Sequence, residues 1–312
     1  MKSEFFYIKA LTPIHAGSGE TLGYVDMPIQ REQHSDIPKI EASTLKGCIK
    51  NKVYKLEKIY EENTNEETKI KYELVFGSEK GEDRASFLGF TDAVLLFFPV
   101  KSDKDIFKLI TCPYLLNRWV NDLDEIKEEI KEIKEGEYVS LFEDKDKNKK
   151  IYLEEYVFNK SEIFNGESEG KEISKLLKSK IKGIEENKIV ILNDTDFIDL
   201  VNMYTEVITR NKIDSFTGVS AKTGLFTEEY LPSETILYFK VFENNIIHSS
   251  SDDNDSKKDD NYLKKDDNDL KKGVINSLKN FETILKYLKE EMGNVFQIGG
   301  NSTIGKGIVK RI

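Results

Sequence analysis

The hydrophobic pattern begins with an apolar run at 5–11, which predicts a short strand ended by a Thr-Pro pair. Helical spacing follows over 44–56, and the apolar positions that define it are Leu45, Ile49, Val53 and Leu56. Ser43 is the predicted N-cap of this helix. The strongly apolar stretch 87–100 predicts a buried strand or a strand pair.

The rest of the chain alternates between helical and strand-like patterns. Further strands are predicted at 37–40 and 235–243, and helices at 113–123, 125–134, 197–207 and 274–292. Residues 57–71 are predicted to be the end of the preceding helix plus a surface excursion. Alternating small, polar and apolar residues over 209–230 predict a long, projecting β-hairpin. The Asp, Lys and Asn tract 252–269 predicts a disordered loop.

The order of these elements favours an α+β fold. The chain begins with a strand, a helix and a strand, and it ends with a helix, a glycine-rich loop and a strand. This order predicts an α+β sandwich of ferredoxin type, with insertions between its core elements.

The composition excludes several classes of protein. Of the 312 residues, 38% are hydrophobic, which is enough apolar material for a folded core. No apolar run is long enough to predict a spanning helix, and the charged first residues do not resemble a signal peptide. Cys48 and Cys112 show neither a metal spacing nor a disulfide framework and are predicted to be packing residues. We therefore expect a protein of the reducing cytoplasm, with no membrane partner.

The net charge of −10 is unevenly distributed. Residues 121–200 contain 22 acidic and 14 basic residues, and residues 252–269 contain 8 acidic and 4 basic residues. The remainder of the chain is therefore net +2. The acidic total neither supports nor excludes a polyanionic partner such as a nucleic acid.

The glycine-rich segment 299–307 is the sharpest local signal. Unhindered backbone amides can approach a phosphate closely, and Lys306 adds a mobile positive charge. The glycines of this segment are Gly299, Gly300, Gly305 and Gly307. Their order is not that of a Walker loop. A turn before an edge strand explains the same residues equally well, so both interpretations stay open.

Four further side chains are candidates for chemistry. Lys46 and Lys50 share one face of the predicted helix, where they suit a nucleic-acid backbone or form a solvated lysine face. Asp26 suits Mg²⁺ binding, activation of a nucleophile or a turn cap. His15 lies in the same loop region and suits a general base, a phosphate contact or a structural role.

Several strings, in their order along the chain, resemble the RAMP superfamily of CRISPR proteins. More closely, they resemble the backbone subunits of type III-B (Cmr) effector complexes. The strings are Thr12-Pro-Ile-His-Ala-Gly-Ser-Gly19, Val25-Asp-Met-Pro-Ile-Gln-Arg-Glu32, Ser43-Thr-Leu-Lys-Gly47 and the segment 297–307, with shorter matches at 96–100, 116–118 and 228–232. The resemblance thins out in the charged segments 57–85, 121–190 and 245–272.

The resemblance implies a single domain over 1–312, with an RRM-like palm and a β-hairpin thumb. The palm core would comprise about 1–56, 86–101, 232–244 and 273–312, with insertions at 57–85 and 102–208, the thumb at 209–231 and the disordered acidic loop at about 249–270. It also implies a helical filament of several copies along one CRISPR guide RNA, with other Cmr subunits and a single-stranded target RNA as partners. The thumb would interrupt guide–target pairing at regular intervals.

For the site, the resemblance implies that Asp26 is the aspartate needed to cleave target RNA. The implied reaction is a metal-dependent attack by the adjacent 2′-hydroxyl, in which Asp26 binds a divalent cation, Mg²⁺ or Mn²⁺, or orients the nucleophile. The secondary catalytic candidates are His15, Tyr230 and either Glu228 or Glu229. Lys46, Lys50 and the glycine-rich segment with Lys306 are the candidate RNA contacts.

Three alternatives stay open at this point. The chain could be a purely structural guide-binding subunit of the same fold. It could also be a stand-alone RAMP endoribonuclease that processes precursor guide RNA by histidine acid–base chemistry without a metal. The type III-A counterpart subunit shares the same local motifs.

Overall fold

A computed structural model describes residues 1–59, 65–77, 86–141, 149–161, 170–214, 216–244 and 280–312. The strands are β1 (Ser3–Ala10), β2 (Lys39–Ile40), β3 (Leu88–Phe90), β4 (Ala93–Lys101), β5 (Phe107–Thr111), β6 (Glu137–Val139), β7 (Lys150–Leu153), β8 (Tyr156–Lys160), β9 (Ile189–Leu192), β10 (Glu206–Ile213), β11 (Ser220–Tyr230), β12 (Ile236–Glu243), β13 (Val295–Gln297) and β14 (Ile308–Arg311). The helices are α1 (Ala42–Leu56), α2 (Glu66–Phe76), α3 (Pro113–Leu123), α4 (Lys171–Lys180), α5 (Asp194–Met203) and α6 (Phe281–Met292). Within these residues, none of the helices combines the length and the apolar character needed to cross a membrane.

The chain divides into two compact units, each assembled from segments that are distant in sequence. The first consists of Met1–Phe6, Glu41–Asp92 and Phe239–Gln297, and the second of Tyr7–Ile40, Ala93–Tyr238 and Ile298–Ile312. Both mix helices with strands, so the mixed α and β character predicted from the sequence is confirmed. The single domain over 1–312 stays a prediction.

The first unit is organised around α1. This helix packs against α2, α6, β3 and β13, and its buried residues are Leu45, Ile49 and Val53, as the helical spacing predicts. Leu56, the last apolar position of this spacing, lies at the helix end and is 59% exposed. Lys52 Nζ donates to the carbonyl of Met292, the last residue of α6, at 2.7 Å and to that of Val295, the first residue of β13, at 2.8 Å.

The start of α1 corrects a prediction. The helix begins at Ala42, so Ser43 lies inside the first turn and is not the N-cap. The Ala42 N–H donates instead to Asp92 Oδ1 at 2.8 Å. A side chain from a distant segment thus accepts the hydrogen bond of a free amide in the first turn. A local N-cap side chain usually has this role.

The segment predicted as a surface excursion contains part of a helix. Residues 66–71 belong to α2, whose first turn is capped by the Asn65 side chain, which accepts from Glu67 N at 3.0 Å. The helix buries Ile70 and Val75. Its charged composition hides these apolar positions from a reading of the sequence.

The second unit contains most of a mixed sheet. The strand order includes β14-β1-β12-β4-β5-β9-β6-β8-β7, with β2 paired to β4. Most neighbours are antiparallel, whereas β5 with β9 and β6 with β8 run parallel. The buried indole of Trp119 on α3 donates to the Tyr7 hydroxyl at 3.0 Å, which joins this helix to β1. The helix predicted at 113–123 and the strands predicted at 5–11 and 87–100 are confirmed within a few residues.

A separate two-stranded sheet carries the predicted hairpin. Strands β10 and β11 pair antiparallel, from Glu206 opposite Tyr230 to Ile213 opposite Ser220. The hairpin predicted at 209–230 is therefore confirmed, with its first strand three residues longer at the base. The helix predicted at 197–207 is α5, which starts earlier and ends at Met203, before the strand begins.

The helix predicted at 125–134 is absent from this described segment, which is irregular. The Asn117 side chain both donates to Ile130 O at 2.9 Å and accepts from Ile130 N at 2.8 Å. Ile130 and Ile133 are buried, and the Glu128 carboxylate accepts from three backbone amides at the start of α4. Long-range bonds thus replace the local bonds of a helix.

The predicted disordered loop 249–270 lies outside the described residues, as does the beginning of the helix predicted at 274–292. The helix is confirmed over Phe281–Met292.

Candidate functional site

Asp26 lies beside the base of the hairpin in the second unit. Its neighbour Met27 forms an isolated bridge with Glu228 of β11, and Met27 N donates to Thr227 O at 3.0 Å. Asp26 Oδ2 accepts from Thr227 N at 2.7 Å and from Thr227 Oγ1 at 2.9 Å. These bonds, the backbone one first, lower the pKa of the Asp26 carboxyl below its ordinary value. The side chain is exposed, so the structure presents an ionised carboxylate to solvent.

His15 is held in place by Glu229, the residue that follows Glu228. The ring is buried, and its Nδ1 lies 2.7 Å from the carbonyl oxygen of Glu229. Because a carbonyl only accepts, Nδ1 carries the proton, and a neutral ring then keeps its lone pair on Nε2. A Cβ on Gly17 would lie 2.9 Å from Nε2, so this glycine allows the chain to pass close to the ring.

Glu228 is a buried carboxylate surrounded by donors. The Tyr230 hydroxyl and the Arg210 guanidinium contact it, and Asn301 Nδ2 lies 3.1 Å from Oε2. Burial opposes ionisation, but the bonds from Tyr230 and Asn301 and the charge of Arg210 outweigh it, so the pKa of Glu228 is lowered. Glu228 is therefore a fixed anion.

Tyr230 is buried beneath two cations. Lys306 Nζ lies 4.8 Å from the centre of the ring, and the Arg210 guanidinium lies 5.9 Å from it. Burial, followed by the hydrogen bond to Glu228, raises the pKa of Tyr230 to about 12. The phenol thus stays protonated near neutral pH and acts as a donor.

Glu229 contacts a different set of residues from Glu228. Its Oε2 accepts from Ile29 N at 3.0 Å, and its Oε1 accepts from Thr205 Oγ1 at 2.8 Å and pairs with Arg31. Both oxygens are thus used to hold the loop containing Arg31 against the hairpin base. Glu228, rather than Glu229, lies with Tyr230 in the structure.

The glycine-rich segment is packed tightly at two points and open at a third. A Cβ on Gly299 would lie 2.2 Å from His15 O, and one on Gly307 would lie 1.9 Å from Ile298 O. Gly300 N donates to His15 O at 2.9 Å. Gly305 has a φ of +77° and nothing within 4 Å of its Cβ position. Gly299 and Gly307 therefore satisfy steric needs of the fold, and Gly305 satisfies a conformational one.

Lys46 and Lys50 lie in the first unit, on α1, and both are half-buried. Lys46 Nζ lies 5.8 Å from the centre of the Phe90 ring and donates to Leu88 O at 3.4 Å, whereas Lys50 Nζ lies 5.7 Å from the Tyr72 ring centre. Burial, and then the charge of Lys50, lower the pKa of Lys46. The two lysines therefore lie against aromatic rings instead of forming a fully solvated face.

The structure brings together most of the candidates of the second unit. Direct contacts join five of them, namely His15, Glu228, Tyr230, Gly300 and Lys306. Asp26 is bonded to Thr227, the residue before Glu228. Three members of the site were missed by the sequence analysis: Thr227, Arg210 and Asn301. Only Asn301 carried a signal, since it lies within the glycine-rich segment.

The described residues offer few ligands for the metal ion that the resemblance implies. Among the described residues, no group of three His, Cys, Asp or Glu side chains could hold a metal ion. Asp26 offers one exposed carboxylate, of which one oxygen already accepts two bonds from Thr227. Mg²⁺ is commonly bound by one or two carboxylates together with substrate phosphates. Asp26 could therefore supply one ligand to such a cation, and the described residues do not form a complete site alone.

The two thiols occupy different environments. Cys48 is half-buried on α1, and Cys112 is fully buried before α3. Burial strongly raises the pKa of the Cys112 thiol, and the nearby Asp194 charge adds to this effect. This position agrees with the predicted packing role of Cys112.

The chain is similar to known proteins along nearly its whole length. The model of the RAMP superfamily matches residues 7–310. A curated relative, the CRISPR system Cmr endoribonuclease Cmr4 of Pyrococcus furiosus, is 33% identical, and the match covers 99% of this chain and 95% of that protein.

Solved structures agree with this match. The oligomeric Cmr4 from Pyrococcus furiosus is 27% identical, with a TM-score of 0.65 over 100% of this chain and 97% of that chain. A chain of the type III-B Cmr-beta complex bound to cognate target RNA has a TM-score of 0.66 over 100% of this chain and 96% of that chain. At 22% identity, the second structure indicates the fold alone.

Proposed function

The chain belongs to the RAMP superfamily, and from this premise we propose that it is a backbone subunit of a type III-B CRISPR effector complex that cleaves guide-paired target RNA. The match to a Cmr endoribonuclease over 99% of the chain supports the assembly and the substrate. The observation that carries the proposal is an exposed, ionised Asp26 carboxylate fixed against the base of the hairpin.

The proposed reaction is an internal transesterification. The 2′-oxygen of one target nucleotide attacks the adjacent phosphorus, the bond to the 5′-oxygen breaks, and the products carry a 2′,3′-cyclic phosphate and a 5′-hydroxyl. Attack requires the 2′-oxygen in line with the departing oxygen, which a kinked backbone allows. Asp26 would orient the nucleophile or accept its proton.

A divalent cation, Mg²⁺ or Mn²⁺, remains part of the proposal. Asp26 would be its protein ligand, and phosphate oxygens of the RNA would complete its coordination. Such an ion stabilises negative charge that develops on the phosphoryl oxygens. The buried network around Glu228 would hold the hairpin base in place during the reaction.

The fold supports a palm-and-thumb arrangement. The chain order β1, α1, β4, β12, α6 and β14, together with the sheet order β14-β1-β12-β4, is the order that a ferredoxin-type or RRM-like palm would have, which supports this proposal. We propose that the β10–β11 hairpin is the thumb that separates guide from target. Lys46, Lys50 and the glycine-rich segment would contact the guide backbone, and several copies would line up along one guide in the cytoplasm.

The test is Asp26→Asn in a complex reconstituted with guide RNA and the other subunits. We expect guide binding and target binding to be unchanged and the periodic cleavage of target RNA to be lost. Asp36→Asn is the matched control, because Asp36 is also exposed and lies in the same loop region. Unchanged cleavage by Asp26→Asn would contradict the catalytic role and favour a purely structural subunit. Cleavage of a repeat hairpin by the isolated chain in EDTA would favour the processing enzyme.

A further inference from the structure

Thr227 contacts both the main chain and the side chain of Asp26. The Thr227 hydroxyl accepts from Asp26 N at 2.9 Å and donates to Asp26 Oδ2 at 2.9 Å. One hydroxyl can do both, because it has a single proton and two lone pairs. The backbone N–H of Thr227 donates to the same Oδ2 at 2.7 Å. Three bonds between two residues thus define the direction of the carboxylate.

Thr227 is itself held in place by the strand that carries it. It pairs with Thr209 across the hairpin, and its carbonyl accepts from Met27 N at 3.0 Å. The next residue, Glu228, is fixed by Tyr230 and Asn301. A side chain on a rigid strand holds its partner more accurately than one on a loop.

The two oxygens of Asp26 are used differently. Oδ2 accepts both bonds from Thr227, and neither of these bonds reaches Oδ1. The bond pattern therefore leaves one defined oxygen available to a ligand.

We propose that Thr227 is a positioning residue that orients Asp26 so that Oδ1 is presented to the substrate RNA. The inference rests on the proposed function, since it assumes that Asp26 acts on RNA. Thr227 works through Asp26 and has no direct role at the reacting atoms. Replacing Thr227 by serine keeps the hydroxyl and both of its hydrogen bonds. Replacing it by valine keeps the shape of the side chain and removes both bonds.

The activity test compares Thr227→Val with Thr227→Ser in the reconstituted complex. We expect valine to lower the single-turnover rate of target cleavage about tenfold, the effect of one hydrogen bond to a charged group. The Kd for target RNA should not change, and serine should restore the rate to within about twofold. In an Asp26→Asn background, valine should have no further effect on the residual rate. Wild-type cleavage by the valine variant, or equal losses in valine and serine, would overturn the proposal.

A second measurement does not depend on activity. In the isolated full chain, amide hydrogen exchange at Asp26 should be faster in Thr227→Val than in the wild type, and unchanged in Thr227→Ser. Unchanged exchange in the valine variant would show that the hydroxyl does not hold Asp26. If Asp26→Asn still cleaves RNA, the proposed function fails, and the exchange experiment still decides whether Thr227 positions Asp26.

Discussion

The side-chain amide of Asn301 donates to the Glu228 carboxylate at 3.1 Å, across 73 residues of sequence. Asn301 also donates to the Tyr230 hydroxyl at 3.0 Å. These bonds join the glycine-rich segment to the base of the hairpin. The segment therefore has a structural role in the free protein, whatever contact it makes with RNA.

The contribution of Asn301 can be measured by Asn301→Gly. Asn301 has a φ of +62°, a conformation that glycine adopts without strain, so this change removes the side chain alone. We expect a loss of about 1–3 kcal/mol in the free energy of unfolding, because the buried Glu228 carboxylate loses a donor. Urea denaturation measures the loss. An unchanged midpoint would show that Asn301 does not contribute to the network.

Glu228→Gln should destabilise the protein in a pH-dependent way. The pKa of Glu228 is lowered from 4.5 in the folded state, so its ionised form adds stability above about pH 4.5 that disappears as the pH falls through the folded value. The difference in melting temperature between wild type and variant should therefore be greatest near neutral pH and narrow below pH 4.5. A difference that grows at low pH would contradict the assignment of a fixed anion.

Two glycines of the same segment form a matched pair. Gly305 and Gly307 have φ values of +77° and +75°, so alanine costs each about 1–2 kcal/mol of backbone strain. Only at Gly307 does the added Cβ also meet a backbone oxygen, at 1.9 Å. We expect Gly307→Ala to lose about 2 kcal/mol or more beyond Gly305→Ala in thermal or urea unfolding. Equal losses would show that the segment relaxes easily at Gly307.

Lys46→Met tests the guide contact proposed for α1. Methionine keeps the apolar stem beside Phe90 and removes the charge. We expect weaker guide binding for all guide sequences, and a salt dependence of log Kd reduced by about one unit of slope. The exposed Lys55 on the same helix provides the control, since Lys55→Met should change neither quantity. An effect confined to one guide sequence would contradict recognition of the backbone.

The sequence predicts an element well where its own apolar spacing decides the structure. The helix containing Trp119 and the α1 core positions up to Val53 follow from periodicity alone. The segment 125–134 has the composition of a helix, but Asn117 binds its backbone from a distant position, and Ile130 is buried in an irregular conformation. Such long-range bonds leave no periodic trace in the sequence.

The site shows the same limit. Asp26 was identified by resemblance, and the structure adds that it is exposed and ionised. Its main partner, Thr227, lies 201 residues away, and neither a motif nor a spacing connects the two. Arg210 is likewise one of several charged residues along a hairpin, and only its pairing with Glu228 distinguishes it.

Because Cys48 is more exposed than Cys112, the helix that carries Lys46 can be labelled selectively. A maleimide reacts with the thiolate, and the buried Cys112 thiol is both shielded from the reagent and held in its protonated form. Cys48 lies two residues after Lys46 and is partly exposed. Alkylation of the native protein should therefore attach a fluorophore at one place, and its emission would report whether guide RNA binds at α1, without any engineered residue.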